Sequence, residues 1–278
     1  MRPGLESQTA VMVAAGRAAA HGRTSVTAFS DPTALSLLPA DARQRVERYR
    51  EGVPPRGFRE RMQRAFLEGR STMMVPRTVA IDQALRGAAS PQLVILGAGL
   101  DGRAWRMPEL ADVAVFEVDH PDSQRRKRER AASLEPATRA LHFVPVDFTR
   151  DRLGDALAAA GHDTSQPTTW LWEGVVMYLE RADIEATLDV VKARSAPGSK
   201  LVILYIAPSL VRKAVGLALR LVGEPFRSVF SAEQMRHLLS DFGFSVLQDD
   251  DLSIIARRLG ADSSKWLEDL RLVSAALC

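Results

Sequence analysis

Three short stretches of this chain each run an apolar segment into a carboxylate. VFEVDHP carries Asp119, FVPVDF carries Asp147, and TWLWE carries Glu173. A fourth run, LVIL at Leu93–Leu96, opens into GAGLDG, a glycine-rich turn that spells G-x-G-x-x-G with Gly97, Gly99 and Gly102 and holds Asp101 inside it. Glycine lets the backbone come close to a ligand, and a carboxylate accepts hydrogen bonds from hydroxyl, amine and ammonium groups. In an open α/β sheet, ligands bind just outside the carboxyl ends of the strands. One acidic group at each of three successive strand ends, beside a glycine turn, therefore describes a pocket for a ligand carrying those groups.

The glycine motif by itself does not choose the ligand. A dinucleotide fingerprint needs a helix that starts inside the motif and faces a pyrophosphate. Here Pro108 falls in the middle of the available residues, and an interior proline costs a helix about 3 kcal/mol, so any first helix is short. Asp101 inside the turn opposes a pyrophosphate and suits a cationic ligand. Asp119, 22 residues after Gly97, stands where a carboxylate meets a ribose diol. A nicotinamide dinucleotide and S-adenosylmethionine both carry that ribose, and Glu117, two residues earlier on the same strand, could take the role instead. Asp147 with Phe148 offers a carboxylate for an adenine amine beside an aromatic face. Glu173 suits an ammonium or the neighbourhood of a sulfonium. Helix capping is the alternative use for Asp119 or Asp147, and core packing for Trp170 and Trp172.

The elements that must position these groups follow from pattern. LVIL (93–96), VAVFEV (113–118), LHFVPV (141–146), TWLW (169–172) and KLVILYI (200–206) are short, branched and aromatic, as buried strands are. Helix-compatible segments at 123–133, 150–160 and 181–193 separate them, which predicts a mostly parallel sheet with helices on both faces. The tail changes pattern: a helix over 232–241, then strands over 243–249 and 252–257 with only Asp250 and Asp251 between them, hence an antiparallel hairpin. Residues 1–90 are expected to form a helical cap region, with helices over 8–20, 39–49, 57–69 and 73–86. The remainder, 91–278, is expected to be the core, with a helical insert near 208–223.

Composition narrows the classes. The chain has 278 residues, 46% hydrophobic and 26% charged, with a formal net charge of +3. That excess is too small to define a nucleic-acid surface; the densest basic run, QRRKRER (124–130), lacks interleaved aromatics and fits the solvated face of a helix. The single cysteine, Cys278, excludes an internal disulfide and a cysteine metal site and fits a reducing, cytoplasmic setting. The N-terminal stretch lacks the compact apolar core of a secretory signal, and no apolar run is long enough for stable membrane insertion. There is no G-x-S-x-G, H-E-x-x-H or cysteine cluster to support hydrolase or metal chemistry.

With these residues in order, the chain resembles the leucine carboxyl methyltransferase-like family of class I S-adenosylmethionine-dependent methyltransferases, especially its bacterial small-molecule branch. The matching text is VPRTVAID (75–82), VILGAGLDGRAWRM (94–107), VFEVDHPDSQRRK (115–127), FVPVDF (143–148) and WLWEGVVMYL (170–179), with SQTAVMVAAGRA (7–18) and SDPTA (30–34) resembling the family's opening helix and loop. The resemblance implies a Rossmann-like fold with S-adenosylmethionine as cofactor and S-adenosylhomocysteine as product. It implies that Arg77 engages the cofactor carboxylate, Gly97 and Gly99 line its methionyl part with Asp101 nearby, Asp119 holds the ribose, Asp147 the adenine amine and Glu173 the methionyl amine. One departure is Gly102, where the family often has threonine, so a possible hydroxyl contact is missing. The expected reaction is O-methylation of a small-molecule carboxylate or hydroxyl, such as a polyketide or other secondary metabolite. Tyr178 and Tyr205 are acceptor-pocket candidates, with packing as their alternative role. No catalytic base is singled out: His120 either orients the ribose end or shapes its turn. A protein C-terminal carboxyl methyltransferase and a non-enzymatic binding domain are the competing readings. Neither oligomeric state nor pathway is legible.

Overall fold

The computed structural model describes residues 7–147, 150–208, 226–262 and 265–278. Four helices lead: α1 (Gln8–Ala20), α2 (Ala34–Leu37), α3 (Ala40–Arg50) and α4 (Phe58–Ala88). The alternating core follows as β1 (Gln92–Leu96), α5 (Arg103–Arg106), β2 (Ala114–Asp119), α6 (Pro121–Ala131), β3 (Ala140–Pro145), α7 (Leu153–Ala159), β4 (Thr168–Glu173), α8 (Arg181–Ala193) and β5 (Lys200–Ile206). The tail is α9 (Ala232–Asp241), β6 (Phe244–Asp251), α10 (Leu252–Arg258), α11 (Lys265–Glu268) and β7 (Leu270–Leu277).

The sheet order is β3-β2-β1-β4-β5-β7-β6. β1 to β5 pair in parallel, and β7 runs antiparallel to both β5 and β6. Alternate residues of the strands feed two buried clusters. Leu93, Ile95, Val115 and Leu171 pack with Val11, Ala14 and Leu37 of the leading helices. Val94, Phe116, Trp170 and Ile203 pack with Leu157, Leu188 and Leu238 of α7, α8 and α9. Trp170 and Trp172 are both core residues. The leading helices thus share a hydrophobic cluster with the sheet.

Two expectations about elements are corrected. The segments 57–69 and 73–86 form one 31-residue helix that passes through Pro76. The Ser71 and Thr72 hydroxyls bond back to the Glu68 carbonyl within the helix, and burial of Met74–Asp82 outweighs the local breakers. The antiparallel pair at the C-terminus is present, but β6 takes β7 as its partner. Residues 252–257, expected as a strand, are helical: Asp251 accepts from Ile254 N at 2.9 Å as an N-cap, and Leu252, Ile255 and Ala256 are buried at helical spacing. The predicted 208–223 insert lies essentially outside the described residues.

Candidate active site

Register brings the predicted groups level. Leu96 of β1 pairs with Val118 of β2 and with Trp172 of β4. The next residue of each strand is Gly97, Asp119 and Glu173, so the three meet along one edge of the sheet. Asp147 lies two residues beyond Pro145, the partner of Asp119 on β3.

The turn is shaped by its glycines. Gly97 (φ 67°) and Gly99 (φ 46°) occupy the left-handed region, where other residues are strained. A Cβ on Gly97 would overlap Val175 Cγ2, and one on Gly99 would stand 3.0 Å from Ala10 Cβ. Gly97 N and Ala98 N donate to the Val118 carbonyl at 2.8 and 3.0 Å, binding the turn to β2. Gly99 N donates to Asp119 Oδ2 at 2.5 Å, and His120 N to Oδ1 at 2.6 Å. Burial raises the Asp119 pKa, opposed by these two N–H groups. The His120 ring accepts from Asp122 N and caps α6, the turn-forming role.

Gly102 is not strained, with φ −108°, yet it has no room for a side chain. A Cβ there would overlap Thr33 Oγ1 and lie 3.4 Å from Asp31 Oδ1. Thr33 Oγ1, at the start of α2, occupies that space and donates to Asp31 Oδ1 at 2.8 Å.

Glu173 accepts from Arg77 Nε at 2.6 Å and from Arg103 Nη1 at 2.8 Å. Burial opposes its charge, but Arg77, Arg103 and Arg17 outweigh it and hold the carboxyl well below the usual range. Arg103 also bonds Asp82 through Nε at 2.8 Å and pairs with Asp101. Arg106 bonds both Asp82 oxygens, at 2.6 and 2.9 Å, and Arg17 pairs with Asp31 at 2.8 Å. Four arginines and four carboxylates therefore form one charge-balanced, nearly dry network. Such pairing is what buried ions require, since each unpaired charge costs several kcal/mol. Sequence reasoning placed Arg77, Asp101 and Glu173 near a ligand and missed Arg17, Asp31, Asp82, Arg103 and Arg106. The available signals were an arginine inside the alanine-rich α1 and two arginines at i, i+3 in α5.

The other predicted residues are placed as follows. Asp101 is buried and held below its usual pKa, because Arg103 and Arg17 outweigh burial; it braces Arg103. Glu117, the alternative to Asp119, is fully buried against Lys127 Nζ at 2.7 Å, so it is unavailable to a ribose. Lys127 is itself buried, which corrects the reading of the whole basic run as a solvated face. Asp147 is partly exposed, 3.8 Å from Arg150 Nε, while Phe148 lies outside the described residues. Tyr178 ends a 3-10 turn (Val176–Tyr178) after β4, its ring 5.7 Å from that of Phe226. Tyr205 is corrected: it is fully buried, its hydroxyl donating to Asp249 Oδ2 at 2.7 Å and accepting from Arg271 Nε at 3.0 Å. Those bonds tie β5, β6 and β7 together, which is the packing role.

The donor set fits the cofactor of a methyltransferase. Arg77 uses Nε on Glu173, and among the described residues its two terminal nitrogens make no hydrogen bond. A cation with free N–H groups beside an anion matches the carboxylate and ammonium of an amino acid. A carboxylate stands at the ribose position on β2. The short α5 and the 3-10 turn at Pro108–Leu110 leave no long helix for a pyrophosphate.

The sheet and its glycine turn define the class I S-adenosylmethionine-dependent methyltransferase fold. The sequence model of the leucine carboxyl methyltransferases matches residues 10–192. The chain is 39% identical over 229 residues to a Mycolicibacterium gilvum protein, covering 79% of this chain and 71% of that one. It is 38% identical over 204 residues to a Frankia alni protein, covering 69% and 66%. Both are named, provisionally, S-adenosyl-L-methionine-dependent methyltransferases, and the matches span about two thirds of those relatives' own lengths. A solved structure of a possible exported protein from Bordetella parapertussis shares the fold, with a TM-score of 0.59, 16% identity, and coverage of 96% and 94%. The chain belongs to the leucine carboxyl methyltransferase family. It is a methyltransferase enzyme with S-adenosylmethionine as cofactor and S-adenosylhomocysteine as product.

Proposed function

We propose that this methyltransferase acts on an oxygen of a small-molecule carboxylate or hydroxyl, such as a polyketide or other secondary metabolite. The observation that carries the site assignment is the Arg77–Glu173 pair, level with Asp119 at the strand ends. In this reading Arg77 binds the cofactor carboxylate and Glu173 its ammonium, while Gly97 and Gly99 admit the methionyl backbone. Asp101 acts through Arg103, Asp119 takes the ribose hydroxyls, and Asp147 with Phe148 takes the adenine. Residues 1–90 form the acceptor-side cap and 91–278 the core, with Tyr178 facing the acceptor.

The bound cofactor supplies an already activated methyl: as the acceptor oxygen bonds to carbon, the carbon–sulfur bond breaks and its electron pair stays on sulfur. The protein's contribution is alignment and exclusion of water. A carboxylate acceptor needs no proton removed, so this reading calls for no base. Among the described residues no helix is long and apolar enough to cross a membrane; the cytoplasmic reading rests on the single cysteine of the composition.

The family's description favours one second reading, methylation of a leucine carboxyl group at a protein terminus. Incubating the enzyme with methyl-labelled cofactor and fractionated extract separates the two. Label in small organic-soluble molecules is expected; label confined to protein as base-labile ester would overturn the small-molecule reading.

A further inference from the structure

The arginines that bond Glu173 and Asp82 are neutralised by carboxylates, but a further arginine beside the site is not. Arg70 precedes Arg77 by seven residues on α4, which is about two helical turns, so both point from nearly the same face roughly 10 Å apart along the axis. Arg77 marks the cofactor position, and no residue of the α4 segment before Met74 is buried. Arg70 therefore stands about two turns of α4 from Arg77, on the less buried side of it.

Its surroundings are specific. The guanidinium lies over the Phe66 ring, 4.8 Å from the centroid. Arg70 is half-buried, and among the described residues it has no carboxylate partner and no hydrogen bond from its side chain. Its titratable neighbours are the Tyr178 phenol, which is uncharged near neutral pH, and Arg77, which repels it. Burial and Arg77 both depress its pKa, the opposite of the paired Arg103 and Arg106, whose values are raised. A partly desolvated cation with a planar fork, stacked and facing a second cation, lacks an anion.

We infer that Arg70 binds the anionic group of the methyl acceptor, which makes the acceptor a carboxylic acid held between Arg70 and Tyr178. This deepens the small-molecule reading above and rests on it. A carboxylate receives two parallel N–H bonds from the guanidinium fork, and the Phe66 ring beside it favours an acid with an apolar or aromatic body.

The test is ternary binding at saturating S-adenosylhomocysteine, titrating benzoate, phenylacetate, hexanoate and decanoate, each alongside its primary amide. Wild type is expected to bind at least one acid and not its amide. Arg70→Gln should weaken that acid at least tenfold, and Arg70→Lys should recover part of the loss. S-adenosylhomocysteine affinity and the unfolding midpoint should hold in both variants, because Arg70 bonds neither core nor cofactor groups. Acid binding unchanged in R70Q, equal binding of acid and amide, or no acid bound by wild type each overturns the inference. Failure of S-adenosylhomocysteine itself to bind would instead overturn the reading beneath it.

Discussion

At the level of single residues, each charged or small side chain is explained by what it touches. Gly102 reads in the sequence as the third glycine of a dinucleotide fingerprint; in the fold it is the space into which Thr33 Oγ1 projects. Gly102→Thr is expected to destabilise by roughly 1–3 kcal/mol, the usual cost of overpacking. Adding Thr33→Ala should recover part of that loss, read as a coupling energy in denaturant titrations. A simple sum of the two single effects would remove Thr33 from the explanation. Glu117 provides a second test. Burial, only partly offset by Lys127, raises its pKa to about 7, so the folded protein favours the neutral acid. The stability Glu117 contributes is present below pH about 4.5 and is lost as pH rises through 7. Relative to Glu117→Gln, the wild type should lose up to roughly 3 kcal/mol across that window; a flat difference would mean that Lys127 fully compensates the carboxylate.

At the scale of elements, periodicity was enough for β1 to β5 and for the helices between them. Their apolar runs are short and branched; β1, β2, β4 and β5 are buried on both faces, and β3, at the sheet edge, is partly buried. Where it failed, the physical reason is local. LSIIAR is a short apolar run with no period of its own, and the Asp251 carboxylate, by capping Ile254 N, decides for helix. Asp251→Ala should therefore cost about 1 kcal/mol, seen as a lower thermal midpoint; no change would mean that α10 is held by packing alone. β7 was missed because LRLVSAAL alternates weakly, and its place between β5 and β6 is set by tertiary pairing. The site divides in the same way. Asp119 and Glu173 were legible because strand register puts them at one edge, as was Arg77 through its motif. Asp82, Asp31 and Arg17 were not, since their partners lie far along the chain and only the packing of α1 and α4 onto the sheet brings them together.

At the scale of the whole molecule, the leading helices complete one face of the sheet and deliver Arg17, Arg77 and Asp82 to the ends of its strands. The buried charges balance within that assembly, and what it presents at the edge is a paired cation and anion, Arg77 with Glu173, with Asp119 level with them. That arrangement as the cofactor receptor is the central claim. Isothermal titration of wild type, Arg77→Ala and Asp119→Ala with S-adenosylhomocysteine and with NAD tests it most directly. The wild type should bind S-adenosylhomocysteine and not NAD, and each variant should bind it at least tenfold more weakly, the worth of one charged hydrogen bond. Heat from NAD with none from S-adenosylhomocysteine, or unchanged affinity in both variants, would contradict it.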